Sequence, residues 1–152
     1  MAQSCVGGGT IAITQAPADV LSIALLRGRH APANTYMMAL YKDSATLGSS
    51  TTRYLTADET SGSGYTAGGQ ALQGYADAIS SSTAYLDWSN ISWPNSTMSA
   101  AGSIIYNSSL ASNEALHVYT FSGTVEVSNG TFTVVMPPAS ATSAVLRVGA
   151  GT

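Results

Sequence analysis

The sequence predicts a mainly β protein, an antiparallel β-sandwich of jelly-roll or immunoglobulin-like type with one short N-terminal helix. Three observations lead there. Strand-like runs rich in Val, Ile, Thr and aromatic residues recur about every eight to twelve residues with turn residues between them. Several of these runs alternate apolar and polar side chains, as strands with one buried face do. No alternation of strands with helical segments is present, which argues against a parallel α/β sheet. At 152 residues, 45% of them hydrophobic, the chain is long enough for one domain with a substantial core.

The elements are read in order. Residues 1–15 form an N-terminal arm, mobile around "GGG", and residues 16–152 form the single sandwich domain. Within the arm, "TIAIT" (residues 10–14) has strand alternation and is expected to pair with a sheet edge, for example that of a neighbouring molecule. "APADVLSIALLRG" is the helix candidate. Pro17 suits a first helical position, Asp19 suits the positive end of the helix, and Gly28 is a natural stop. Its "VLSIALL" also alternates as a strand would, and the helix reading is preferred.

"TYMMALYK" (residues 35–42) reads as a buried strand, followed by a polar loop, "DSATLGSSTTR". Thr56 and Glu59 have the spacing of a capping box at a short helical turn. The glycine-rich "GSGYTAGG" reads as a flexible excursion leading into a strand near residues 72–79. Strands follow at "GYADAIS", "TAYLDWS", "AAGSIIYN", "ALHVYTF", "TVEVS", "TFTVVMP" and "AVLRVG". "SNG", between "TVEV" and "TFTV", carries the signal of a type I′ hairpin, because Asn and Gly tolerate positive φ.

Composition excludes several functions. Charged residues are 9% of the chain, against about 25% in an average globular domain. Ser, Thr, Gly and Ala take their place, so the surface is neutral and hydroxylated. Such a surface suits a protein covered by neighbours rather than one kept apart by charge. The net charge is −3, and Arg27, Arg29, Lys42, Arg53 and Arg147 are too scattered to release counterions from a nucleic acid. No apolar run approaches the ~20 residues of a membrane helix. Cys5 is the only cysteine, which excludes an intrachain disulfide. The first residues lack a charged-then-apolar secretion leader, so synthesis in a cytoplasm is expected.

No catalytic, cofactor-binding or metal-binding residue is expected. Glycines 62, 64, 68 and 69 have the wrong spacing for a dinucleotide or Walker loop, and no Gly-Lys-Ser/Thr follows. His30 and His117 are the only histidines, one in a loop and one in a strand, and neither has a metal-motif or triad spacing. Asp77 and Asp87 lie on candidate adjacent strands and could face each other as a carboxylate pair, but nothing in the sequence makes that more than coincidence. Eight tyrosines and two tryptophans serve packing or, if gathered on an open face, glycan or protein contact. Asn90, Asn95, Asn107 and Asn129 begin Asn-x-Ser/Thr sequons, which a Ser/Thr-rich chain produces by chance.

"YLTADETSGSGYTAGGQAL", "AYLDWSNISWPNSTMSAAGSIIYNSS" and "VSNGTFTVVMP" together resemble a family of small virion structural proteins of tailed bacteriophages, of the head decoration or cement type. The likeness spans residues 16–149 and is carried by turns and strands, not by chemical groups. It implies a non-enzymatic particle component that binds the major capsid protein and stabilises the shell. It also implies a location on the capsid surface and a homo-oligomer such as a trimer, with no cofactor, nucleic acid or membrane. The rival it leaves is a tail or head-fibre component, or an adhesin that binds host surface glycans. The Ala/Gly-rich arm departs from the family pattern, and no functional residue carries over.

Overall fold

A computed structural model describes residues 13–18, 21, 24–25 and 27–149. The chain is mainly β, as the sequence predicts, and its strands form two antiparallel sheets. The larger sheet has five strands in the order β1-β7-β6-β2-β3: β1 (Ile13–Pro17), β7 (Glu114–Val134), β6 (Ile91–Asn107), β2 (Tyr36–Tyr41) and β3 (Gln70–Ala71). The smaller has three, in the order β4-β5-β8: β4 (Ala76–Ser80), β5 (Thr83–Asp87) and β8 (Leu146–Gly149).

Period-two alternation explains the packing. In β2, Tyr36, Met38 and Leu40 point to the face that meets the small sheet, and they cluster with Tyr119, Phe121 and Ile105 and with Trp88 and Leu146. Ala39 and Tyr41 point the other way and cluster with Ile104, Tyr106 and Val118. Ala45, Leu47 and Tyr54 lie over that second cluster. The segment read as a merely polar loop therefore covers the outer face of the large sheet, which is why β2 is buried on both sides.

Several local expectations change. The predicted helix falls mostly outside the described residues. Of its C-terminal end, Gly28 (φ 61°) donates its amide to the Leu25 carbonyl at 3.0 Å, and Arg29 donates to the Ala24 carbonyl at 3.0 Å. That pairing is the Schellman stop expected of Gly28. Pro17 does not open the helix. It closes β1, an edge strand, where a missing N–H is tolerated. Ile13, Thr14 and Gln15, assigned to the arm, also belong to β1, and they pair with Phe121, Thr120 and Tyr119 of the same chain. The described part of "TIAIT" is thus bonded within its own sheet. Residues 1–12 lie outside the described region.

"SNG" is not a hairpin turn. β7 runs through Asn129 (φ 50°) and Gly130 without reversing, and stays paired to β6 from Asn107↔Glu114 to Ile91↔Val134. Positive φ there serves a bulge, matched on β6 by Asn95 (φ 51°) after Pro94. The tight hairpin is instead Ser80↔Thr83, whose two turn residues, Ser81 (φ 48°) and Ser82 (φ 62°), take the type I′ conformation without glycine. The separation predicted between "ALHVYTF" and "TVEVS" corresponds to the register break where Ala100 pairs Val125 but Gly102 pairs Thr120.

Candidate functional site

Among the described residues, the small sheet holds an apolar concavity that opens to solvent beside its edge strand, β4. Cross-strand pairing places Asp77, Leu86 and Leu146 in one row and Ile79, Ala84 and Val148 in the next row on the same face. Leu146 is buried in the core. One step further along, the core has ended, and the second row emerges into solvent with Ile79 77% and Val148 54% exposed. Leu25, 37% exposed, closes the opposite wall of a groove of about 340 Å³ whose lining includes Tyr75 and His30. Among the described residues four large hydrophobics are exposed, and three of them line this groove; Leu55 is the fourth. They are gathered in one place rather than scattered over the surface. Strand alternation located these residues on a face, but gave no sign of where the core beneath that face stops.

The glycine-rich segment is a packed strap, not a flexible excursion. Glu59, buried, stands where the capping box was expected, but its carboxylate does not return to Thr56. Oε1 accepts from the Tyr65 hydroxyl at 2.7 Å and the Gly68 amide at 2.7 Å, while Oε2 accepts from the Tyr54 hydroxyl at 2.7 Å. The Tyr65 hydroxyl in turn accepts from the Leu40 amide at 3.0 Å, and Tyr106 donates to the Gly68 carbonyl at 2.8 Å. Thr97 donates its amide to Ser63 at 3.0 Å, which ties the segment to β6 as well. The amides of Tyr65, Gly68 and Gly69 are used internally, donating to the Gly62 carbonyl, the Glu59 carboxylate and the Thr66 carbonyl.

The two histidines sit apart. His30 accepts from Asn107 Nδ2 at 3.1 Å through Nδ1, next to the Arg29–Glu114 ion pair of 2.9 Å. Burial holds its pKa below the ordinary value, and Glu114 offsets part of that. The Asn107 amide also donates to Asn34 at 3.0 Å, and Asn107 is fully buried, so this sequon has no room for a glycan. His117 is 4% exposed on β7, its ring 4.9 Å from that of Tyr119, and neither ring nitrogen has a hydrogen-bond partner among the described residues.

Burial lowers the His117 pKa to about 4 from 6.5. An unfolded chain therefore binds a proton that the folded chain refuses. The contribution to stability is complete above pH 6.5 and is lost as pH falls toward 4, by about 3 kcal/mol at one pKa unit per 1.36 kcal/mol. Urea unfolding at pH 7 and pH 4.5 is expected to show a large acid loss in the wild type. His117→Phe is expected to cut that loss by more than half while remaining close to wild type at pH 7.

Asp77 and Asp87 do not form a carboxylate pair. Asp77 is opposite Leu86 and Asp87 is opposite Ala76, so the two acids project from opposite faces. Asp77 is exposed, while Asp87 is buried and accepts from the Trp88 amide at 2.8 Å. Burial pushes the Asp87 carboxyl up, and amides of Trp88 and Val145 pull it back. No group of three or more His, Cys, Asp or Glu among the described residues is placed to hold a metal ion, and none of their helices is long and apolar enough to cross a membrane.

Most of the aromatic rings face inward. Tyr36, Tyr75 and Trp88 form one cluster, Tyr65, Trp93 and Phe132 another, and Tyr54 stacks on Tyr106 at 4.7 Å. No protein-family model, curated protein or solved structure matches the chain.

Proposed function

We propose that this chain is a structural protein of a tailed-bacteriophage virion, made in the host cytoplasm and carried on the capsid surface, where it decorates the major capsid shell and stabilises it. The observation that carries the reading is the pairing of a nearly uncharged surface with an exposed apolar groove. Charged residues are 9% of the chain, and three of the four exposed large hydrophobics among the described residues share one concavity. Such a surface gains by being covered in an assembly. The turn-and-strand resemblance of residues 16–149 supports the same reading. The glycan-binding alternative draws less support, because most of the rings that would stack on sugars are packed inside and only Tyr75 and Tyr85 reach the groove.

The mechanism is mass action. A protein that binds the assembled shell better than its free subunits favours assembly by about 2.7 kcal/mol per site at a hundredfold excess over Kd. Purified protein added to heads lacking it is expected to bind saturably and to raise the temperature of shell disruption in scanning calorimetry. Gold-labelled protein found only on tails, or heads whose melting is unchanged at saturation, would overturn the proposal.

A further inference from the structure

We propose that two copies of this chain pair edge to edge through β4, antiparallel about Ala78, joining their three-stranded sheets into a continuous sheet of six. The pairing is separable from the virion reading, since it requires no shell.

β4 is an open edge. It is terminal in its sheet, all five of its residues are exposed, and among the described residues its only backbone partner is β5. Natural edges are blunted by Lys, Pro or a bulge. β4 has no Lys, Pro or bulge and carries a single charge, Asp77, and its register with β5 is unbroken from Ala76↔Asp87 to Ser80↔Thr83. Its row of unpaired amides and carbonyls is a template for another strand.

A second copy is the occupant that fits. Two-fold pairing requires a surface that complements itself. Here Ile79, 77% exposed, stands at the rim of a groove of about 340 Å³ that it lines together with Leu25, Leu86 and Val148. Each copy therefore presents an aliphatic side chain and a place to bury one. Charge selects the register. Asp77 is the only formal charge on β4. Centring the two-fold on Asp77 would set two carboxylates face to face, which destabilises a cross-strand pair. Centring it on Ala78 sets Asp77 opposite Ile79 of the second copy and keeps the carboxylates apart.

A five-residue edge and one groove cover less than the ~800 Å² per partner of a standard interface. The dimer is accordingly weak when free, with Kd on the order of 10 to 100 μM, and strengthens when copies are held side by side.

Sedimentation equilibrium from about 1 μM to about 1 mM spans that range. The mass is expected to rise from that of the 15.5 kDa chain toward twice that value. Ile79→Lys, at a site too exposed to matter for folding, is expected to weaken association at least tenfold, and Leu55→Lys, outside the groove, to leave it unchanged. In a Cys5→Ser background, Ala78→Cys is expected to give a disulfide-linked dimer on mild oxidation, because it places the two thiols across the two-fold. A wild type that is monomeric at about 1 mM overturns the proposal. So does association that survives Ile79→Lys, or that Leu55→Lys abolishes equally.

Discussion

Gly69→Ala is expected to destabilise the protein by about 4 kcal/mol or more, among the largest effects of a single methyl group. Gly69 has φ 77°, a region that costs an L-residue about 1–2 kcal/mol. The added Cβ would also overlap the Met38 carbonyl and lie 2.8 Å from Ala39 Cα, both of them backbone of β2, which cannot swing aside. Relief requires moving the strap. Gly68 then leaves the Glu59 carboxylate, and Gln70 and Ala71 leave Met38 and Met37. Both clusters on β2 would be opened. Calorimetry is expected to show Tm lower by about 10 °C, at about 2–4 °C per kcal/mol for a chain of this size. Gly48→Ala, where the new methyl meets nothing within 4 Å, is the control and is expected to stay within about 0.5 kcal/mol of wild type. Equal melting of the two variants would show that the strap is not held against β2.

That contrast shows what local pattern carries. The strand expected over residues 35–42 is found as Tyr36–Tyr41, because a short apolar run between polar segments has few other ways to be buried. β5 and β8 are likewise found within the runs "TAYLDWS" and "AVLRVG". Asn129 and Gly130 do supply the expected permissive backbone, but a bulge uses positive φ as readily as a turn does. Only the partner decides between them, and here β6 continues alongside β7. Ser81 and Ser82 adopt the true I′ turn with no residue that advertises it, since pairing of Ala76–Ser80 with Thr83–Asp87 imposes it.

Sites were legible only where they are local. Glycine spacing argued against a phosphate loop, and in the structure the Gly68 amide donates to Glu59. The groove was not legible. Ile79 and Val148 alternate correctly in their strands, yet alternation assigns a face and is silent on whether another layer reaches it. Parity separates Asp77 from Asp87: a register placing Asp77 against Leu86 turns the two acids to opposite faces.

Glu59 is where distant residues converge, and Glu59→Ala is expected to cost about 3–5 kcal/mol. Charge-assisted hydrogen bonds are worth about 1.5–3 kcal/mol each, and stranding their buried donors adds a desolvation penalty. The carboxylate holds three donors from two segments: Tyr54 from the outer cover, and Tyr65 and Gly68 from the strap. Alanine leaves all three unmatched and opens space beside the stacked pair Tyr54–Tyr106. Glu59→Gln preserves the volume but replaces one acceptor by a donor, which must face a hydroxyl or an amide. Its cost is expected to be about half as large. Tyr65→Phe removes one donor and exposes the Leu40 amide to the loss of its acceptor, for about 1–2 kcal/mol. The double variant Glu59→Ala/Tyr65→Phe is therefore expected to be less destabilised than the sum of the singles by at least about 1 kcal/mol, the coupling of groups in one network. Chemical denaturation of the four proteins measures that term. Strict additivity would mean that the strap is held by its glycines and backbone bonds, with Glu59 a bystander; coupling means that one buried carboxylate fastens both the cover and the strap to the large sheet.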